Sequence, residues 1–167
     1  MALPKNFILN NLEIEHKILR IAYQIYESNY NEKEIILAGI LENGYILSEK
    51  IKKNLEKICK IKVISCTVKI DKKNPRNEIK INLKPEQFKN KSVILVDDVL
   101  NSGATLIYGV KYFLNYPLKQ FKTAVLVNRN HKKYPVKADF KGISLSTSIN
   151  KHVEVTFCKS NSKVILV

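Results

Sequence analysis

A chain of 167 residues with 45% hydrophobic and 26% charged side chains has the size and balance of one soluble domain that buries a sizeable core. Its formal charge of +14 attracts phosphates, from nucleotides up to RNA, although the same Lys-, Asn- and Ile-rich bias also arises from AT-rich coding alone. The first residues lack the apolar core of a signal peptide and the longest unbroken apolar run, 35–41, is far too short to span a membrane, so a cytoplasmic protein is expected.

Asn10 and Asn11 followed by Glu13 read as an N-cap with a capping-box acid, and Ile14, Ile18, Ile21, Ala22 and Ile25 recur at helical spacing, predicting an amphipathic helix over 12–30. His16 within it reads more simply as a surface histidine than as a catalytic one. The run 35–41 has the pattern of a strand buried on both faces. It leads through Glu42-Asn43-Gly44 into 45–60, where Tyr45, Leu47, Ile51, Leu55 and Ile58 among lysines predict a second helix.

Residues 62–70 and 78–83 carry β-formers around a polar stretch in which Asn74-Pro75 signals a turn, and they read as a long hairpin. Its Lys72, Lys73 and Arg76 belong either to a mobile basic tip or to an ordinary solvated loop. A strand over 93–96 ends in Asp97-Asp98, and a short polar turn then opens a helix over 106–115 that Pro117 stops. Another buried strand covers 123–127, a polar and basic Pro-limited loop covers 128–140, and strands finish the chain at 153–157 and 164–167. Cys59, Cys66 and Cys158 are odd in number and without metal-ligand spacing, which makes structural thiols the expectation.

Alternation of strands and helices implies an α/β fold: a mostly parallel sheet of four or five strands with right-handed crossovers, flanked by helices. The hairpin 62–83 and the last segments are expected as an antiparallel flap and hood. With no repeats or linkers, residues 1–167 form one domain, with a core over about 12–127 and a hood over about 128–158.

The segment from Asp97 to Leu106 carries the chemistry. N–H groups at a helix start, with the Ser102 and Thr105 hydroxyls beside them and Gly103 permitting close approach, form a donor set suited to a phosphate. Asp97 and Asp98 stand at the carboxyl end of a strand, where open α/β sheets place their ligands, and can hold sugar hydroxyls or a hydrated Mg²⁺. A ribose 5-phosphate suits both ends of this pattern; the bland alternative is a buried strand that ends in two acids before a turn.

Val96-Asp97-Asp98-Val99-Leu100-Asn101-Ser102-Gly103-Ala104-Thr105 resembles the phosphoribosyl pyrophosphate (PRPP) motif of type I phosphoribosyltransferases. The order of the other blocks, above all Ala124-Val-Leu-Val-Asn-Arg-Asn-His131 with Tyr134-Pro-Val-Lys-Ala-Asp-Phe-Lys-Gly142, is similar to the PyrR branch of that family, the pyrimidine-operon attenuators that also act as uracil phosphoribosyltransferases. The resemblance covers about residues 12–158 and implies the type I phosphoribosyltransferase fold, with a small hood and a flexible β-hairpin.

By the same resemblance, Asp97 and Asp98 contact the ribose hydroxyls and, indirectly, Mg²⁺, while Val99 and Ser102, Gly103, Ala104 and Thr105 surround the 5-phosphate. Ile40, Leu41, Glu42, Asn43 and Gly44 occupy the pyrophosphate loop, where the PyrR pattern is Lys-Thr-Arg-Gly, so two cations are missing and an acid has arrived. Ala104 replaces a further Arg, and Asn101 stands where purine enzymes carry a base-assisting Asp. Lys72, Lys73 and Arg76 become flexible-loop candidates, Asn128, Arg129, Asp139 and Phe140 the base-binding hood, and Arg20, His131, Lys132 and Lys137 the RNA-contacting set, while Leu19, Tyr23, Ser28 and Ile143 replace polar or basic residues of that set.

The expected function is transfer of phosphoribosyl from PRPP to uracil, giving UMP and pyrophosphate at a reduced rate, in a homodimer or homotetramer. The alternative is a nucleotide-sensing RNA-binding attenuator with little or no transferase activity. A related enzyme acting on another base is the third reading.

Overall fold

The computed structural model describes residues 6–167; residues 1–5 of the expected domain lie outside the described residues. The elements in chain order are β1 (Phe7–Leu9), α1 (Asn11–Asn29), β2 (Glu34–Ile40), α2 (Asn43–Ile58), β3 (Lys62–Lys69), β4 (Lys80–Ile81), α3 (Pro85–Phe88), β5 (Ser92–Leu100), α4 (Ala104–Phe113), β6 (Gln120–Arg129), β7 (Phe140–Leu145), β8 (Val153–Thr156) and β9 (Lys163–Leu166).

A six-stranded sheet runs in the order β4-β3-β2-β5-β6-β7, with five parallel strands and the antiparallel β4 on one edge. Its central strands are unbroken apolar runs because both faces are covered. Ile35, Leu37, Ile94, Val96 and Leu126 pack under α1 and α2, while the alternate residues Ile36, Ala38, Ile40, Leu95 and Val125 pack with Leu106 and Phe113 of α4 and Phe88 of α3. Helix α1 begins as its sequence predicts: the Asn10 side chain accepts from the Glu13 N–H and Glu13 accepts from the Asn10 N–H.

A second sheet, β1-β9-β8, is antiparallel and brings the first described strand against the last. Its Val155 and Val164 join the core under α1 and α2.

The structure corrects three boundaries. The 62–70 strand is no flap: β3 pairs with β2 in parallel along seven residues, with Val63, Cys66 and Val68 buried, so only the segment beyond it projects. The returning strand shrinks to two residues, because pairing with β3 is confined to Lys80 and Ile81. The expected hood of 128–158 is divided: 140–145 forms β7 and extends the main sheet, while the small sheet draws on β1 and β9, outside that range. Among the described residues no helix is long and apolar enough to cross a membrane, and the three cysteines are free thiols.

Candidate functional site

From β2 the chain crosses through α2 to β3 on one side, and from β5 it crosses through α4 to β6 on the other. The order therefore reverses between β2 and β5, and the crevice at the carboxyl ends of these two strands is where such sheets bind ligands. Both loops singled out by the sequence, 41–44 after β2 and 101–105 after β5, open into this crevice. A cleft of about 330 Å³ lies there, lined by Asp97, Asp98, Ser102, Ala104, Thr105 and, from the projecting loop, Lys72.

Two helix starts stand beside the acid pair, and at neither does the N-cap residue's own side chain bond to the helix. Gly103, at φ 87°, is the N-cap of α4 in the left-handed region that glycine adopts without cost, and the Ala104 N–H reaches only the Ser102 hydroxyl, at 3.2 Å. Helix α2 starts at Asn43 behind Glu42, which makes no capping hydrogen bond. Gly44 lets that end approach the acids: a Cβ there would lie 2.6 Å from the Val96 carbonyl oxygen and 2.9 Å from the Asp97 Cα. The positive ends of two helices thus converge on the acid pair, which is how a fold presents backbone donors to a multiply phosphorylated ligand.

The acids differ in setting. Asp97 is buried, and burial together with the neighbouring Asp98 charge pushes its carboxyl up to about 7. Lys72 lies 3.6 Å from its Oδ1 and acts in the opposite direction. Asp98 is less enclosed, and its Oδ2 accepts from the Asn43 side-chain amide at 2.9 Å. The same amide donates to the Val155 carbonyl at 3.0 Å, so Asn43 ties the acid pair to β8, whose Val153 lines the cleft.

The remaining expected site residues scatter. Of the projecting loop only Lys72 reaches the acids; the Lys73 N–H is held by the Asp71 carboxylate and Arg76 by Asn74, and Arg76 faces α4 beside Tyr108 and Lys111. Asp71 also accepts from the Asn74 N–H and the Asn77 amide, and these bonds hold its carboxyl below its usual value. Asp139 and Phe140 are displaced from any base-facing hood. Asp139, at the end of the expected loop, accepts from the Thr123 N–H at 2.9 Å, and Phe140, which opens the edge strand β7 opposite Ala124, packs into the core. Asn128 and Arg129 end β6 as buried residues outside the cleft lining.

Among the RNA-contacting candidates, Lys132 and Lys137 are exposed. Arg20 donates to the Lys141 and Gly142 carbonyls, and the His131 Nε2 sits against the Thr147 carbonyl. Two features were not legible locally. The Lys133 and Tyr134 N–H groups both donate to the Ser102 carbonyl, at 2.8 and 3.2 Å, so the basic loop buttresses the 102–105 turn. Val136 adds an apolar contact there, its Cγ1 lying 2.6 Å from where a Gly103 Cβ would stand.

Crevice, acid pair and paired helix starts come together at the switch point of a mostly parallel α/β sheet. The phosphoribosyl transferase domain family matches residues 6–160, and the chain belongs to that family. Within it the chain is PyrR-like: it is 33% identical to the bifunctional protein PyrR of Fusobacterium nucleatum, covering 93% of this chain and 92% of that one, and 30% identical to that of Streptococcus thermophilus, covering 96% and 95%. The fold is shared with the hypoxanthine phosphoribosyltransferase of Trypanosoma cruzi, at a TM-score of 0.78, 14% identity and coverage of 97% and 95%.

Proposed function

We propose that this phosphoribosyltransferase binds PRPP and UMP in the cleft at the end of β5, and transfers phosphoribosyl from PRPP to uracil slowly. The observation that carries the reading is the convergence of the α2 and α4 starts on Asp97 and Asp98. In this reading the 5-phosphate takes the N–H groups and hydroxyls of Ser102–Thr105, the ribose hydroxyls take the acid pair, and pyrophosphate lies against 41–44. The bond from ribose C1 to pyrophosphate breaks with its electron pair leaving on pyrophosphate. Uracil nitrogen closes on the oxocarbenium-like carbon, and its proton passes to the departing pyrophosphate.

Asn101 is no proton acceptor of the carboxylate kind, so stabilising the leaving group carries the chemistry. Two carboxylates offer the hard oxygen donors that suit a largely hydrated Mg²⁺, and among the described residues no cluster of three or more ligating side chains competes for that role. Bound there, Mg²⁺ would neutralise charge on the departing pyrophosphate. An enzyme of PRPP and UMP works in the cytoplasm.

The test is calorimetric titration with PRPP, UMP and GMP in the presence of Mg²⁺, followed by a uracil transfer assay on the same sample. Asp98→Asn should weaken PRPP or UMP binding by on the order of 1 to 3 kcal/mol through loss of charge-assisted hydrogen bonds. Affinity unchanged for every phosphoribosyl ligand would sink the site assignment.

RNA binding by an attenuator of pyrimidine genes is the second reading, supported by the charge of +14, the exposed Lys132 and Lys137, and the name bifunctional carried by the relatives. In that reading Lys supplies phosphate contact without the planar base readout of Arg. Homo-oligomerisation, as a dimer or tetramer, is supported by Leu12, Leu19 and Tyr23, which stand exposed on α1. Light scattering at tens of micromolar protein should give at least twice the chain mass of 19.2 kDa; a monomer would contradict it.

A further inference from the structure

Arg129 is the last residue of β6, and only 2% of its surface is exposed. A guanidinium in that setting ordinarily has a carboxylate for company, since an uncompensated buried charge is costly. Here every acceptor is neutral. Nη1 donates to the Asn101 side-chain oxygen at 3.0 Å, Nε and Nη2 donate to the Thr147 hydroxyl at 3.1 and 2.8 Å, and Nη2 also reaches the Ser148 carbonyl at 3.3 Å. None of the ion pairs among the described residues includes Arg129.

The position gives this unspent charge a direction. Asn101 immediately precedes the Ser102–Thr105 turn, so the end of the guanidinium that carries Nη1 is anchored at the root of the phosphate-binding backbone. Thr147 and Ser148 belong to the segment that leads into β8 and its cleft-lining Val153. Asn101 and Ser148 are exposed, so the attraction of this guanidinium for an anion in the turn runs partly through solvent and weakens as salt is added. The turn itself holds no cation, since residue 104 is Ala.

We propose that Arg129 is a positioning residue that stands behind the phosphate turn and supplies, without touching the ligand, the positive charge that the turn lacks. The proposal rests on the phosphate site described above. A bound phosphate dianion then supplies, at longer range, the counter-charge that the buried guanidinium lacks among its neighbours.

The test is UMP titration of wild type, Arg129→Met and Arg129→Lys at low and high salt, with circular dichroism to confirm folding. Arg129→Met is expected to lose about tenfold in UMP affinity, which is about 1.4 kcal/mol, and to show a shallower salt dependence than wild type. Arg129→Lys keeps the charge but not the fork, and should stay within about threefold of wild type with the salt dependence intact. A folded Arg129→Met protein with wild-type affinity, or with weaker affinity and an unchanged salt dependence, would overturn the proposal. If Arg129→Met does not fold, Arg129→Lys decides, and a tenfold loss there would show that geometry rather than charge matters. Wild type that binds no UMP at either salt concentration removes the phosphate site itself, and this role with it.

Discussion

Leu41→Lys combined with Asn43→Arg should raise uracil transfer by roughly two to four decades while leaving UMP affinity little changed. A charged donor to phosphate contributes about 1.5 to 3 kcal/mol, and two such contacts to the leaving group convert to a rate gain of that size. The loop tolerates the exchange at its backbone: the Leu41 N–H donates to the Val68 carbonyl whatever its side chain, and α2 begins at position 43. Asn43 has a present task, its amide bridging Asp98 and the Val155 carbonyl, which an Arg at 43 reproduces only in part. The gain is therefore expected in turnover and not in ground-state binding. Steady-state rates of the two proteins decide it. A wild-type turnover already near the ordinary enzyme value of about 10 per second would show that Lys72, which already reaches the acid pair, suffices.

Asp97→Asn should stabilise the fold at pH 8 and abolish ligand binding. The folded protein keeps the Asp97 proton up to about pH 7, whereas the unfolded chain releases it near 3.8. Between these values the folded state binds more protons, so the contribution of Asp97 to stability is full below about pH 4 and is lost as pH rises through 7. The span corresponds to on the order of 4 kcal/mol. Lys72, at 3.6 Å, and the Asp98 backbone N–H, at 2.9 Å, face the carboxylate and oppose the upward shift without cancelling it. Denaturant unfolding of both proteins from pH 4 to pH 8 tests it: wild type should fall relative to the variant across the window. A difference that stays constant with pH would refute the buried, proton-holding carboxyl.

The parts of the fold that a reader of the sequence can see are those whose signal is local. Strands β2, β5 and β6 announce themselves as apolar runs because both sheet faces are covered, and the α1 start is written in Asn10 and Glu13. Strand β7 does not: Phe140–Leu145 contains Lys141, Gly142 and Ser144, and only its pairing with β6 makes it a strand. β1, three residues long, and α3, four, are too short for any periodicity to register. The site divides in the same way. Asp97 to Thr105 is one contiguous motif, whereas the Asn43 bridge spans 55 residues to Asp98 and 112 to Val155, and the Arg129 anchor reaches 28 residues back to Asn101. Asp139 closes the polar, Pro-containing approach as a loop residue, and Phe140 opens a strand that this approach does not announce.

The small sheet makes the cleft depend on the last strand of the described residues. β1 is held by β9, with Phe7 opposite Ile165, so the first described strand waits for the last before it finds its place. The strands of the six-stranded sheet all lie before residue 146, but the core on its α1 and α2 face is completed by Val155 and Val164 of the small sheet. The wall that Val153 adds to the cleft, and the Val155 carbonyl that receives Asn43, arrive only afterwards. A chain cut before β9 would thus keep the 101–105 turn and both acids yet lack the strand that holds β8 in place, and it should present them in an open groove with weakened affinity for nucleotide.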